Sequence, residues 1–202
     1  MEARRIVLAG YGAEPADVVA AGLSSDEPAL RARALTASQR LGRRSVSARV
    51  AALRDDAAIV RRTACELEAR TPQPSSRVAR ALVGCLDDGD ALVAVRAADA
   101  LGELRERSAV SALSAVATGH ADARCREAAV AALGAIGEET GLDAVLAAQH
   151  DKPPVRRRAV VALAAFDGPR VEAALAAALE DRDWQVRQAA EALRDASGAN
   201  AS

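Results

Sequence analysis

Apolar residues in this chain recur at helical spacing in short blocks, and the blocks come in pairs. In the stretch 121–150, Cys125, Ala129, Ala132, Leu133 and Ile136 fall on one face of a helix. Asp122 stands in front of it as an N-cap, and Gly137 behind it as a C′ glycine. Glu138-Glu139-Thr140-Gly141 turns the chain. Leu142, Val145, Leu146 and Gln149 then share one face of a shorter second helix. The segment reads as a helical hairpin.

The same pattern predicts first helices over 27–41, 56–69, 91–104, 122–136, 153–165 and 183–194. Second helices follow over 45–54, 75–86, 108–118, 141–149 and 169–180. Residues 2–11 and 15–23 read as a degenerate leading hairpin, and 183–194 as an unpaired last helix. That gives about thirteen helices. No run shows strict apolar/polar alternation, so no strand is expected. With no linker in between, 1–195 reads as a single all-α domain, and the Gly/Asn/Ser-containing stretch 196–202 as a disordered tail.

The hairpins keep register. Leu30-Arg31, Val60-Arg61, Cys125-Arg126, Val155-Arg156 and Val186-Arg187 occupy one slot, and Val93-Ala94 is a copy without its arginine. The steps are 30, 33, 32, 30 and 31 residues, which is one supersecondary unit stacked on itself. An acid precedes each slot by four to six residues, where it satisfies free N–H groups and suits the helix dipole.

The stretches Asp181-x-Asp183-x-x-Val186-Arg187-x-Ala-Ala-x-Ala-Leu193 and Asp122-x-x-Cys125-Arg126-x-x-Ala-x-x-Ala-Ala-Leu133-Gly134 carry a family likeness. They resemble the HEAT repeats, in particular the short bacterial HEAT-like repeats related to those of phycobilin lyases, over about 26–195. The resemblance implies a right-handed α-solenoid of stacked hairpins, with second helices on its concave side. It also implies a ladder of Arg and Asp side chains between neighbouring hairpins, here Arg31, Arg61, Arg126, Arg156 and Arg187 with Asp122, Asp181 and Asp183. At Ala94 the ladder should be interrupted, because Arg96 comes two residues late.

Composition narrows the function. Alanine supplies 53 of 202 residues, and Tyr11, Phe166 and Trp184 are the only aromatics. Net charge is −1. Neither the basic balance nor the aromatic platforms of a nucleic-acid binder are present, which disfavours the glycosylase branch of HEAT-like proteins. Trp184 is read as a packing or capping residue. Twenty-six of the 27 basic residues are Arg, which reads as compositional bias. Cys65, Cys85 and Cys125 lie at apolar helix positions and read as buried free thiols, as in a reducing cytoplasm. No signal peptide and no transmembrane span is expected.

No catalytic constellation, cofactor motif or metal set emerges. His120 and His150 are assigned to one slot of adjacent hairpins, as replacements for its loop acid. The His-Glu pairs of HEAT-like di-iron hydroxylases are missing. The expectation is a non-enzymatic, cytoplasmic, monomeric protein–protein scaffold or adaptor, with no cofactor, no nucleic acid and no membrane. The alternative is a phycobilin-lyase-like protein or an accessory subunit of an enzyme complex. A partner surface is placed on Arg43, Arg44, Arg77, Arg80, Arg105 and Arg107, along the edge formed by turns within hairpins. It lies beside the irregular turn Thr71-Pro72-Gln73-Pro74-Ser75 and suits an acidic or amphipathic protein segment.

Overall fold

Alanine, leucine and valine at helical spacing, with a capping acid or serine in front and a turn behind, make thirteen segments of this chain helical. The computed structural model describes residues 1–12, 17–42, 44–71 and 73–199. Among them are thirteen α-helices and no strand. In order they are α1 (Glu2–Ala9), α2 (Asp17–Leu23), α3 (Pro28–Arg40), α4 (Val46–Ala52), α5 (Ala58–Ala69), α6 (Ser76–Gly84), α7 (Ala91–Glu103), α8 (Val110–Gly119), α9 (Ala123–Ile136), α10 (Leu142–Ala147), α11 (Pro153–Ala162), α12 (Pro169–Leu179) and α13 (Trp184–Ala199). Short 3₁₀ turns lead into α8 and α10 and follow α6, α10 and α11. The last helix runs on to Ala199, past the boundary expected at 195, and 200–202 lie outside the described residues. No described helix is long and apolar enough to cross a membrane.

The fold is an all-α solenoid of helical hairpins. It divides into two compact halves, Met1–Ala100 and Leu101–Ser202, with no linker between them. The division falls inside α7, whose helical pattern is continuous and so carries no linker signal. In the N-terminal half, Ile6, Ala9, Val19, Leu30, Ala34 and Ala37 form a buried cluster that joins α1, α2 and α3. Val60, Cys65, Val78 and Leu82 are buried farther along. In the C-terminal half, Leu113, Val130, Leu133, Val145, Val155 and Leu163 are buried. There Val160, Ala178, Val186 and Ala190 tie α11, α12 and α13 together.

The recurring Ala-Leu-Gly has a packing reason. A Cβ added to Gly102 would lie 2.9 Å from the Cα of Ala132, and one added to Gly134 would lie 2.8 Å from the Cα of Ala162. The glycine of one first helix therefore receives the alanine of the next, backbone against backbone. Gly137 ends α9 in the left-handed conformation (φ 69°), as its C′ position demands, with its N–H on the Leu133 carbonyl at 2.9 Å.

Gly134→Ala is expected to lower stability by about 1–3 kcal/mol, because the obstacle is backbone that cannot rotate away. Gly84, at the end of α6, has open space around its Cβ position. Gly84→Ala is expected to raise stability by up to about 1 kcal/mol. Urea denaturation of the two variants checks both signs.

Candidate interaction surface

The slot arginines are placed one turn into each first helix, where the fork of the guanidinium reaches two loops at once. Arg31 Nε and Nη2 donate to the two carboxylate oxygens of Asp55 at 2.9 and 2.7 Å, while Nη1 donates to the Ser25 carbonyl at 3.0 Å. Arg61 holds Asp88 at 2.6 and 2.8 Å and the Asp55 carbonyl at 2.8 Å. Arg126 holds Asp151 at 2.5 and 2.7 Å and the His120 carbonyl at 2.7 Å. Arg156 holds Asp181 at 2.8 and 2.7 Å and the Asp151 carbonyl at 2.9 Å. Arg187, in the last slot, donates to the Asp181 carbonyl at 2.6 Å. The acids that answer the arginines also brace their own loops: Asp55, Asp88 and Asp181 accept the backbone N–H two residues on, at 2.8–2.9 Å.

This corrects part of the sequence assignment. Asp122 and Asp183, placed in the ladder from sequence, face their own helices. Asp122 accepts from Arg124 N at 2.9 Å and Asp183 from Gln185 N at 2.9 Å. Asp55, Asp88, Asp151 and Asp181 are the acids that take both Nε and Nη2 of the preceding hairpin's arginine, and Asp56 accepts a further bond from Arg31 Nη2 at 2.6 Å. The two histidines also separate. Counting from Asp88 and Asp151, His120 stands in the ladder-acid slot, and its Nδ1 accepts the Asp122 N–H at 3.0 Å. His150 comes one residue before that slot, next to Asp151. The gap is therefore double: Ala94 for the arginine and His120 for the acid. Arg96 instead pairs with Glu66 at 3.2 Å and Asp99 at 3.1 Å, half-exposed.

A second charged cluster went unread in the sequence. Glu68 sits on the apolar face of α5, three residues after Cys65 and four after Ala64, and is fully buried. Arg44 Nη2 donates to its Oε1 at 2.6 Å and Arg49 Nε to its Oε2 at 2.9 Å. Arg44 Nη1 donates to Gln39 Oε1 at 3.0 Å, and Gln39 Nε2 to Thr71 Oγ1 at 3.3 Å. Burial pushes the Arg44 guanidinium below its ordinary pKa, against the opposing pull of Glu68. Breaking such a buried pair costs about 3–5 kcal/mol because it strands a charge. A glutamate on a stripe of small apolar residues, with one arginine just before the preceding short helix and one on it, was the available signal.

The expected partner-binding arginines are thereby sorted. Arg44 is 4 % exposed and committed to Glu68, so it does not present a charge to a partner. Arg43 and Pro72 lie outside the described residues. Arg107 is 77 % exposed but pairs with Glu138 of the following hairpin. Arg105 is exposed, at a left-handed backbone position (φ 48°), and with Arg107 belongs to the C-terminal half. Arg77 and Arg80 of α6 are exposed, and neither has an ion-pair partner among the described residues. Trp184 is 61 % exposed at the start of α13 rather than packed, and Arg40 covers the Tyr11 ring at 4.5 Å. The three cysteines are buried and free. Among the described residues, no group of three or more His, Cys, Asp or Glu side chains could hold a metal.

Hydrogen bonds from Arg126 and Arg156 hold the Asp151 and Asp181 carboxyls below the ordinary range. Burial raises Asp55 and Asp88, but hydrogen bonds from Arg31 and Arg61 and from the backbone outweigh it, and both are also lowered. Depressed carboxylates stabilise the fold fully above their unfolded value near pH ~4. They lose that contribution as pH falls through their folded values. Stability is therefore expected to drop as pH falls below about 4. Arg126→Ala and Arg156→Ala should each cost about 2–4 kcal/mol at neutral pH and flatten that acid limb. Melting curves between neutral pH and acid check both; unchanged melting would refute the ladder.

A family model described as HEAT repeats matches residues 78–152 and 146–194. No curated protein sequence matches the chain. Among solved structures, the chain is similar to the CpcE–CpcF complex of phycocyanin lyase from Nostoc sp. PCC7120. The TM-score is 0.62 at 24% identity, covering 87% of this chain and 74% of that one. It is similar to YibA of E. coli (TM-score 0.63, 18% identity, 86% and 67% covered). It is also similar to a designed armadillo repeat protein in complex with the peptide (KR)4 (TM-score 0.57, 19% identity, 96% and 90% covered).

Proposed function

The chain belongs to the HEAT-repeat family, and on that premise we propose that it is a non-enzymatic scaffold or adaptor that binds another protein. The observation that carries this reading is the contrast on its arginines. Four of the five slot arginines are neutralised by an aspartate, whereas Arg77 and Arg80 stand exposed on α6 with no ion-pair partner among the described residues. Arginine is enriched at the energetic centres of interfaces. Two guanidinium groups one helical turn apart suit an acidic or amphipathic segment. Peptide binding is at home in this architecture, since the designed armadillo neighbour was solved with a peptide. That peptide is basic, so its charge does not carry over. The protein is read as cytoplasmic and monomeric, without nucleic acid, membrane or cofactor.

A second reading is a phycobilin-lyase-like protein or an accessory subunit of an enzyme complex. It is supported by the likeness to the phycocyanin lyase complex, at fold level.

Affinity capture with the wild-type chain, followed by mass spectrometry, supplies the partner. Arg77→Glu combined with Arg80→Glu should then weaken binding of that partner at least tenfold, about 1.4 kcal/mol. Melting should stay unchanged, because both side chains are exposed. The wild-type affinity should fall with added salt. Equal affinity for the reversed variant would refute this placement. Capture of an enzyme subunit whose activity depends on this chain would favour the second reading.

A further inference from the structure

In the C-terminal half, α11 and α13 bury one face each in the cluster of Val160, Val186 and Ala190. On their solvent side an open groove of about 420 Å³ runs between them. Arg157 and Val161, four residues apart on α11, make one wall. Gln188 and Ala192, four apart on α13, make the other, with Ala189 beside them. Trp184 stands four residues before Gln188 and so heads the same stripe of α13. Trp184 and Val161 are 61 % and 51 % exposed, the only exposed large hydrophobic side chains among the described residues of this half. Water thus meets two apolar side chains at one groove, and tryptophan is the residue most often found at the energetic centre of an interface. The charge of the groove has one sign. No acid lines it. Arg158 is turned to Glu127 at 3.6 Å, whereas Arg157 is exposed and has no ion-pair partner among the described residues.

We propose that the groove between α11 and α13 docks an amphipathic helix of a partner protein, with a carboxylate of that helix accepting from Arg157 and its apolar side chains covering Trp184 and Val161. A groove between two packed helices seats a third helix by the same interdigitation that packs the first two. The small side chains of Ala189 and Ala192 let it approach closely. An extended segment gains nothing comparable, because α11 and α13 spend their backbone groups within the helices and offer no sheet edge to pair with. From Trp184 to Ala192 the wall is about 12 Å long, which matches about two turns of the partner helix. The surplus charge of Arg157 selects an acidic helix over a basic one. This groove lies in the half that does not contain Arg77 and Arg80, and occupancy here does not depend on binding there.

The test puts the photo-crosslinker p-benzoylphenylalanine in place of Gln188 in the full chain, in its native cells, with exposed Glu139 replaced in the same way as the control. Mass spectrometry identifies the cross-linked peptide. The expected product, formed from position 188 and not from 139, is a segment of another protein with apolar residues three or four apart and an Asp or Glu beside them. The synthetic form of that segment should bind the wild-type chain saturably and gain helix by circular dichroism. Trp184→Ala should weaken its binding at least about thirtyfold, the scale of an interface hot spot. Arg157→Glu should weaken it at least about tenfold, and so should exchanging the acid of the peptide for its amide. Both side chains are exposed, so melting of the two variants should match wild type. Arg77→Glu with Arg80→Glu should leave this affinity unchanged, which separates the groove from the surface proposed above. A product from a second copy of the chain, no product specific to position 188, a peptide that gains no helix, or undiminished binding by Trp184→Ala or Arg157→Glu each overturns the proposal.

Discussion

At each of four slots, Arg31, Arg61, Arg126 and Arg156, one guanidinium closes three structures at once. Its Nη1 takes a carbonyl of the loop before its own helix, and its Nε and Nη2 take both oxygens of an aspartate in the next loop. That aspartate in turn braces the turn in which it sits. Lysine has no planar fork and could not serve the carbonyl and both carboxylate oxygens in this geometry. The arginine-rich composition, which reads as background, is therefore a requirement at Arg31, Arg61, Arg126 and Arg156. The ladder also fixes the repeat length, since arginine and aspartate must meet after one full hairpin. Apolar packing alone would tolerate sliding between such alanine-rich helices. The ladder and the glycine seats at Gly102 and Gly134 fix the register.

The triad of Arg44, Glu68 and Arg49 solves a related problem by burial rather than by bracing. Desolvating a carboxylate is costly, and two guanidinium groups are set against that cost. The result is one positive charge in excess within the triad, in a chain whose formal net charge is only −1. Arg77 and Arg80 on α6, by contrast, are exposed and have no ion-pair partner among the described residues.

The helices were legible in the sequence because alanine, leucine and valine at helical spacing leave little else to form. Most boundaries fall within three residues of those read from the pattern, with α13 longer. The arginine slots were legible because they recur. Their partners were less so: where a loop offers two acids, as at Asp181 and Asp183, sequence spacing does not say which one reaches back to the preceding hairpin. The surface reading failed at Arg44 and Arg107 for one reason. Their partners, Glu68 and Glu138, lie 24 and 31 residues away, so a run of positive charge looked unneutralised when read locally. The division inside α7 left no trace because it interrupts no helical pattern.

The central claim is that the arginine and the aspartate act as one coupled device rather than as two separate caps. A double-mutant cycle on Arg156 and Asp181, with each residue replaced by alanine singly and together, measures that coupling directly by denaturant unfolding. The account predicts a coupling energy above about 1 kcal/mol, with the double variant much less destabilised than the sum of the singles. Additivity within about 0.5 kcal/mol would contradict it.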